Sequence, residues 1–330
     1  MSKKISEKLF LENINLSKSM KLKKNKKNVG PKNIEKYIKE YINASQATST
    51  KRAYASDLRH FLAHGGCVPC SPKHLAKYLA ESANDGLAVA TIERRVVAIH
   101  QAHVDRHHQS PARAEIVRQV LQGIRRTLGT KQRQAKPLLK NELLSVLDAI
   151  QVSCMPVRAS RDQALLLIGF ASAMRRSELV GICVEHLSFN SEGLVIELPV
   201  SKTDQERRGR SVFIPRASGN HCPVNALMGW LKTASISYGH VFRSVNRHDG
   251  VAKHGLTAQS VSLIVKAAVA QVGADTKNIS GHSLRAGYCT SAAEQGLQSW
   301  QLRAQTGHKS DVMLGNYIRR KNQQTIPSVL

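Results

Sequence analysis

Acidic residues are scarce in this chain: 23 Asp plus Glu stand against 49 Lys plus Arg over 330 residues, a formal net charge of +26. An excess of that size calls for a polyanionic partner. Nucleic acid comes first, because Lys and Arg displace its condensed counterions. Long apolar runs are missing too. No stretch approaches the ~18 consecutive apolar residues of a membrane span, and no N-terminal segment has the charged, apolar, small-residue order of a signal peptide. The expectation is therefore a cytoplasmic protein on DNA or RNA, with no membrane partner. Cysteine is sparse and scattered, at 67, 70, 154, 183, 222 and 289, which excludes a disulfide framework in favour of reduced thiols. No period of about 20 to 50 residues repeats, so a solenoid is excluded.

One cluster has metal-ligand residue types. "HFLAHGGCVPC" holds His60, His64, Cys67 and Cys70, but Gly-Gly and Val-Pro make its second half a turn and no second Cys-x-x-Cys follows. The expectation is a loop with small buried thiols and no metal. His103 and His107 lie one turn apart without a third ligand type nearby, and read as a solvated or DNA-facing helix surface.

Residues 1–34 carry ten lysines and little periodic apolar content, the composition of a basic, disordered arm. From 35 to 130 helix follows helix. "STKRAYASDLRHFLAHGG" opens at Ser/Thr caps, spaces Tyr54, Leu58, Phe61 and Leu62 along one face and stops at Gly65, while "SPKHLAKYLAESANDG" starts with Pro72 in its first turn and stops at Gly86. Two more helices follow, in "AVATIERRVVAIHQAHVDRHH" and "PARAEIVRQVLQGIRRTLG". The basic pairs Lys51 with Arg52, Arg94 with Arg95, and Arg125 with Arg126 are candidate DNA contacts, although a charge pair is also what a solvated face carries. The polar stretch 131–139, with Pro137, reads as a linker. Beyond it, residues 140–330 read as a second domain. Helices near 140–151 and 160–180 precede the strand-like "GLVIELPV" and "RSVFIP", and mostly helices follow.

A transferring phosphodiester gains negative charge that a guanidinium fork can hold in two parallel bonds. Two arginines stand out. Arg175 follows a long apolar helix and a small-residue turn, with Glu178 three residues on to orient it, although an exposed helix start would also carry such a pair. In "SGHSLRAG", His282 and Arg285 share a helix face. His-x-x-Arg also occurs at His103 and His240, so its weight comes from His308 and Tyr317 downstream. A leaving 5′ oxygen needs a proton donor. Arginine is a poor one, whereas lysine tunes readily. Lys202 is the only lysine between Leu187 and Lys232 and lies in the turn between the two strands.

In order, "AMRRSELVGI", the lysine of "SKTDQERRGR", "GHSLRAG", "TGHKS" and "NYIRR" resemble the catalytic set of the tyrosine recombinases, the phage integrase family. Ala173 and Met174 stand where the family often has Gly and Leu, and the hairpin departs from the common Gly-Lys-Gly form. The resemblance implies a mainly α fold with a small antiparallel β-sheet, built as a two-domain DNA clamp: an N-terminal helical, SAM-like core-binding domain and a mixed catalytic domain. It further implies that Tyr317 attacks the scissile phosphate to form a 3′-phosphotyrosyl bond, stored and resealed without ATP. Arg175 and Arg285 then neutralise the non-bridging oxygens, His282 acts as acid/base partner near Tyr317, His308 donates to the phosphate, and Glu178 supports. No metal or nucleotide cofactor is implied. The implied partners are duplex DNA with paired half-sites and a homo-tetramer at synapsis, with accessory DNA-bending or directionality proteins as further candidates. A catalytically silent DNA-binding accessory protein of the same fold, and a type IB topoisomerase or telomere resolvase, are the rival readings. Relaxation needs one bound protomer, whereas recombination needs a synapse.

Overall fold

The computed structural model describes residues 34–131, 134–199, 209–315 and 317. Lys202, nearly all of the lysine-rich arm and the tail beyond Tyr317 lie outside them. The chain divides into two units, which meet at residues 133 and 134.

The first unit is all helix: α1 (Ile34–Ala44), α2 (Thr48–Ala63), α3 (Pro72–Asn84), α4 (Val89–Val104) and α5 (Glu115–Leu128), with a 3₁₀ turn at Pro111–Arg113. Its helices start and stop by local chemistry. Ser71 accepts the His74 N–H at 3.2 Å ahead of Pro72, an N-cap with proline at the first position. Gly65, Gly86 and Gly129, at φ 76°, 76° and 71°, turn the chain out of α2, α3 and α5, a backbone region that costs a side-chain-bearing residue energy. One face of each helix is apolar at helical spacing. Phe61, Leu75, Leu79, Ile92, Ile99, Val117, Leu121 and Ile124 meet in one buried core.

The second unit begins earlier than the sequence suggests. Lys136 N–H donates to Asn278 O at 2.8 Å and Leu138 N–H to Ser283 O at 3.0 Å, and Leu138 is 2% exposed within the core. From Lys136 onward the stretch read as a linker is therefore structure of this unit, because Leu138 is an apolar side chain with a place to be buried. Helices α6 (Lys140–Ser153), α7 (Pro156–Ala171) and α8 (Arg176–Val180) follow, then a three-stranded antiparallel sheet of β1 (Leu187–Phe189), β2 (Gly193–Leu198) and β3 (Arg210–Pro215). Leu194 pairs with Ile214 and Ile196 with Val212, so the alternating apolar residues of both strands face the core. After α9 (Pro223–Thr233) comes a second hairpin, β4 (Arg243–Val245) and β5 (Val251–Gly255), then α10 (Ala258–Gln271), α11 (His282–Glu294), α12 (Ser299–Thr306) and α13 (Asp311–Gly315).

The histidine and cysteine readings need correcting. His103 is fully buried. Its Nε2 accepts the Cys70 N–H at 3.0 Å and its Nδ1 meets Ile99 O at 2.8 Å, so it ties the 66–70 turn to α4 instead of facing solvent or DNA. Cys67 is exposed and Cys70 half-buried, because the turn lies at the rim of the core. Among the described residues, no helix is long and apolar enough to cross a membrane.

Candidate active site

Helix α7 is nearly all apolar from Ala164 to Ile168 and is buried on every side. Two residues past its end Ala173 adopts φ 49°, where an L-residue pays roughly 1–2 kcal/mol. This is the place at which the resemblance leads one to expect glycine, and alanine keeps the turn at that cost. The turn does two things. It aims the Ala173 carbonyl at Arg285, and it delivers Arg175 to the start of α8. There Glu178 reaches back, accepting the Arg175 N–H at 3.0 Å and its guanidinium at 2.7 Å.

Glu178 is 5% exposed. Burial pushes its carboxyl up, but the Arg175 hydrogen bonds and the charges of Arg175 and Arg210 outweigh that and hold it below the usual carboxylate range. Arg210 is a site residue that the sequence reading misses. Its Nη2 donates to Glu178 at 3.2 Å and its Nη1 to the Gln305 carbonyl at 2.8 Å. A signal was present: Arg210, Val212 and Ile214 alternate along β3 on its inward face.

Arg285, on α11, is 1% exposed. Nη1 donates to the carbonyls of Ala173 at 2.6 Å and Thr306 at 2.8 Å, and Nη2 meets His308 Nε2 at 2.8 Å. Two of its five N–H donors remain, one on Nε and one on Nη2, and Nε has no partner among the described residues. Gly307, at φ 70°, ends α12 and brings His308 beneath the arginine; a Cβ there would meet the Arg210 guanidinium at 3.2 Å. Burial, and after it the positive charges of Arg285, Arg175 and Arg210, push the His308 imidazole down to about 3, so the ring is neutral. Thr306 Oγ1 lies 2.8 Å from its Nδ1. Both ring nitrogens are thus engaged, and the one facing Arg285 accepts.

Tyr317 completes the group. Its ring centroid lies 4.8 Å from that of His308, and the Arg285 guanidinium sits 5.5 Å from it, within cation–π range. Thr290 on α11 donates to the Tyr317 carbonyl at 3.0 Å. His282 opens α11 with an exposed side chain and its N–H on Ser280 Oγ at 3.2 Å. Arg175, Glu178, Arg285, His308 and Tyr317 therefore lie together, linked directly or through Arg210 and Thr306.

Of the basic pairs in the first unit, Arg95 is 8% exposed and packs inward toward Asp57. Arg94 is exposed but held by the same carboxylate in two bonds of 2.7 and 2.9 Å. Arg125 is paired with Glu93 at 2.7 Å and Lys51 with the Asn43 carbonyl, while Arg52 and Arg126 are exposed.

A tyrosine sits against a buried arginine–histidine pair, and the relatives of the sequence give the class, a DNA strand-transferring enzyme of the tyrosine recombinase kind. Residues 136–324 match the phage integrase family, and residues 34–104 match the N-terminal SAM-like domain of phage integrases; the chain belongs to this family. The integrase/recombinase xerD homolog of Selenomonas ruminantium is 38% identical over 295 residues, covering 86% of this chain and 85% of the relative. The fold is shared with the Tn1549 transposon integrase in complex with transposon right end DNA, at TM-score 0.61 and 17% identity over 84% and 91% of the two chains. It is shared likewise with the XerH site-specific recombinase bound to palindromic difH substrate, at TM-score 0.59 and 17% identity over 93% and 90%.

Proposed function

We propose that the chain is a site-specific recombinase that cuts and rejoins duplex DNA through a covalent 3′-phosphotyrosyl intermediate and a Holliday junction. The observation that carries this is the placement of Tyr317 against Arg285 and His308. Tyr317 attacks the scissile phosphorus and releases the 5′ oxygen, which takes a proton from Lys202 and leaves as a hydroxyl. Arg285 receives a non-bridging oxygen on its remaining donors, and Arg175, oriented by Glu178, holds the other. His282, at the mouth of α11, is the acid/base partner of the tyrosine.

The partners are duplex DNA with paired half-sites, three further copies of the chain at synapsis, and accessory DNA-bending or directionality proteins; the setting is the cytoplasm. Residues 35–130 serve as the core-binding domain and 136–330 as the catalytic domain of a DNA clamp. Arg52 and Arg126 are the strongest phosphate contacts among the basic pairs, since their guanidiniums are exposed. Tyr317→Phe, which keeps the ring, is expected to retain DNA binding and lose all covalent protein–DNA complex on a nicked half-site substrate. An adduct that persists, for example through Tyr288, overturns the assignment.

A further inference from the structure

Arg210 has no part in the chemistry proposed above, and a strand that needed only packing would carry an apolar residue there, as it does at Val212 and Ile214 on the same face. Pairing with a buried carboxylate is weak evidence that the arginine serves stability, since an apolar residue of similar size often serves the fold as well. What sets Arg210 apart is where its two bonds go. Nη2 donates to Glu178 Oε2 at 3.2 Å and Nη1 to the Gln305 carbonyl at 2.8 Å, while Nε has no partner among the described residues. Gln305 is itself tied down. Its side-chain amide donates to the carbonyls of Ala171 at 2.8 Å and Phe213 at 3.0 Å. Arg210 is therefore braced between Glu178 and the end of α12, and α12 is pinned there to β3 and to the last residue of α7.

The Glu178 carboxylate is what the brace acts on. Oε1 accepts the Arg175 guanidinium at 2.7 Å, whereas Oε2 accepts both the Arg175 N–H at 3.0 Å and Arg210. The torsion that sets the plane of a glutamate carboxylate is broad, so its partners must fix it. One N–H on Oε2 is a pivot; a second bond, from Arg210, removes the freedom to turn about it. With Oε2 held twice, Oε1 points one way and the Arg175 guanidinium follows. We propose that Arg210 is a positioning residue of the strand-transfer site: it fixes the plane of the Glu178 carboxylate and, through it, the guanidinium of Arg175. The inference rests on the function proposed above for its catalytic consequence, that Arg175 meets a non-bridging oxygen, and on hydrogen-bond geometry for the rest.

The test uses the full chain. With ¹⁵N-labelled arginine and no DNA, Arg175→Lys identifies the Arg175 resonances, and rotation of that guanidinium about its Nε–Cζ bond is expected to be slow in the parent and fast in Arg210→Met. On a nicked half-site substrate, Arg210→Met is expected to form covalent complex ~10²-fold more slowly at unchanged DNA affinity, the scale of loss when a reacting group is misplaced by about 1 Å. Two altered scissile phosphates show through which atom the loss acts. A methylphosphonate has a neutral methyl in place of one non-bridging oxygen; in the stereoisomer whose methyl replaces the oxygen facing Arg175, that arginine has nothing to hold, and most of the loss should vanish. A bridging 5′ sulfur leaves without a proton, so there the loss should persist in full. Arg210→Lys keeps the charge beside Glu178 but has no planar fork. It is expected to show the same pattern with a smaller loss, and it carries the test if Arg210→Met does not fold. An Arg175 guanidinium that stays held in Arg210→Met, or an Arg210→Lys as fast as the parent, overturns the proposal. So does a loss that is equal on all three substrates or is recovered by the sulfur. Failure of the parent to form a Tyr317 adduct would instead overturn the function, and the guanidinium rotation would still decide the role of Arg210.

Discussion

At the scale of single residues, Glu178 is the negative charge that lets two guanidiniums, Arg175 and Arg210, share one small volume. It is 2% exposed at the side chain, against 15% and 18% for the arginines, so water does little of the screening. Removing one partner of such a group leaves uncompensated charge and typically costs ~3–5 kcal/mol. Glu178→Gln retains one acceptor and is expected to lose ~2–3 kcal/mol by urea unfolding at pH 7; a loss below ~1 kcal/mol would show that the carboxylate is not the balancing charge. His308 gives a pH dependence of definite sign. Its folded-state value of about 3 lies below its ordinary 6.5, so between those values the unfolded chain holds a proton that the folded one lacks. Folding stability therefore falls as pH drops from 6.5 toward 3, by up to ~1.4 kcal/mol per pH unit from this one ring. His60, lowered chiefly by burial and then by Arg95 and His64, adds to the loss. Chemical denaturation across pH 5 to 7 should show a smaller slope in His308→Asn than in the parent.

At the scale of elements, α11 is pressed against the chain segment that enters the second unit. A Cβ on Gly287 would lie 1.8 Å from the Leu138 carbonyl oxygen, and backbone cannot swing aside as a side-chain tip can. Gly287→Ala is expected to destabilise by ~1–3 kcal/mol or more, read as a lower thermal midpoint, with cleavage falling because Arg285 sits two residues away. The contact also shows what a sequence conceals. Helices α2 to α7, α9, α10 and α11 are legible from their apolar spacing, helped by Pro in the first turn of α3, α7 and α9 and by a positive-φ Gly after α2, α3, α5, α10 and α11. The break between α7 and α8 is harder to see, since the apolar period runs through "LLLIGFASAMRRSELV" without a Gly or Pro at the turn; Ala173 makes it with a positive φ. The β4–β5 hairpin is missed because its strands are half-exposed and carry no alternation, and β1 is three residues long. In the site, Arg175, Glu178, Arg285, His308 and Tyr317 are readable from motif order. Arg210 needs the face of β3 to be known, and Thr306 declares itself only through two hydrogen bonds in space.

At the scale of the whole molecule, the net charge of +26 sets how binding responds to salt. A protein that neutralises 6–10 phosphates loses about 10³–10⁵ in affinity between 50 and 200 mM salt. Residues 1–30 hold nine of the lysines, and their deletion is expected to flatten the slope of log affinity against log salt while leaving the cleavage rate of bound DNA intact. An unchanged slope would remove the arm from the interface. The way the chain enters the second unit bears on force. Tension arriving along the backbone at residue 134 reaches its first anchors where Lys136 holds Asn278 and Leu138 holds Ser283. Ser283 is flanked by His282 and lies two residues before Arg285, so a pull on the tether is borne at the root of the catalytic helix. A mechanical load arriving at residue 134 is thereby felt first at the root of the helix that carries His282 and Arg285.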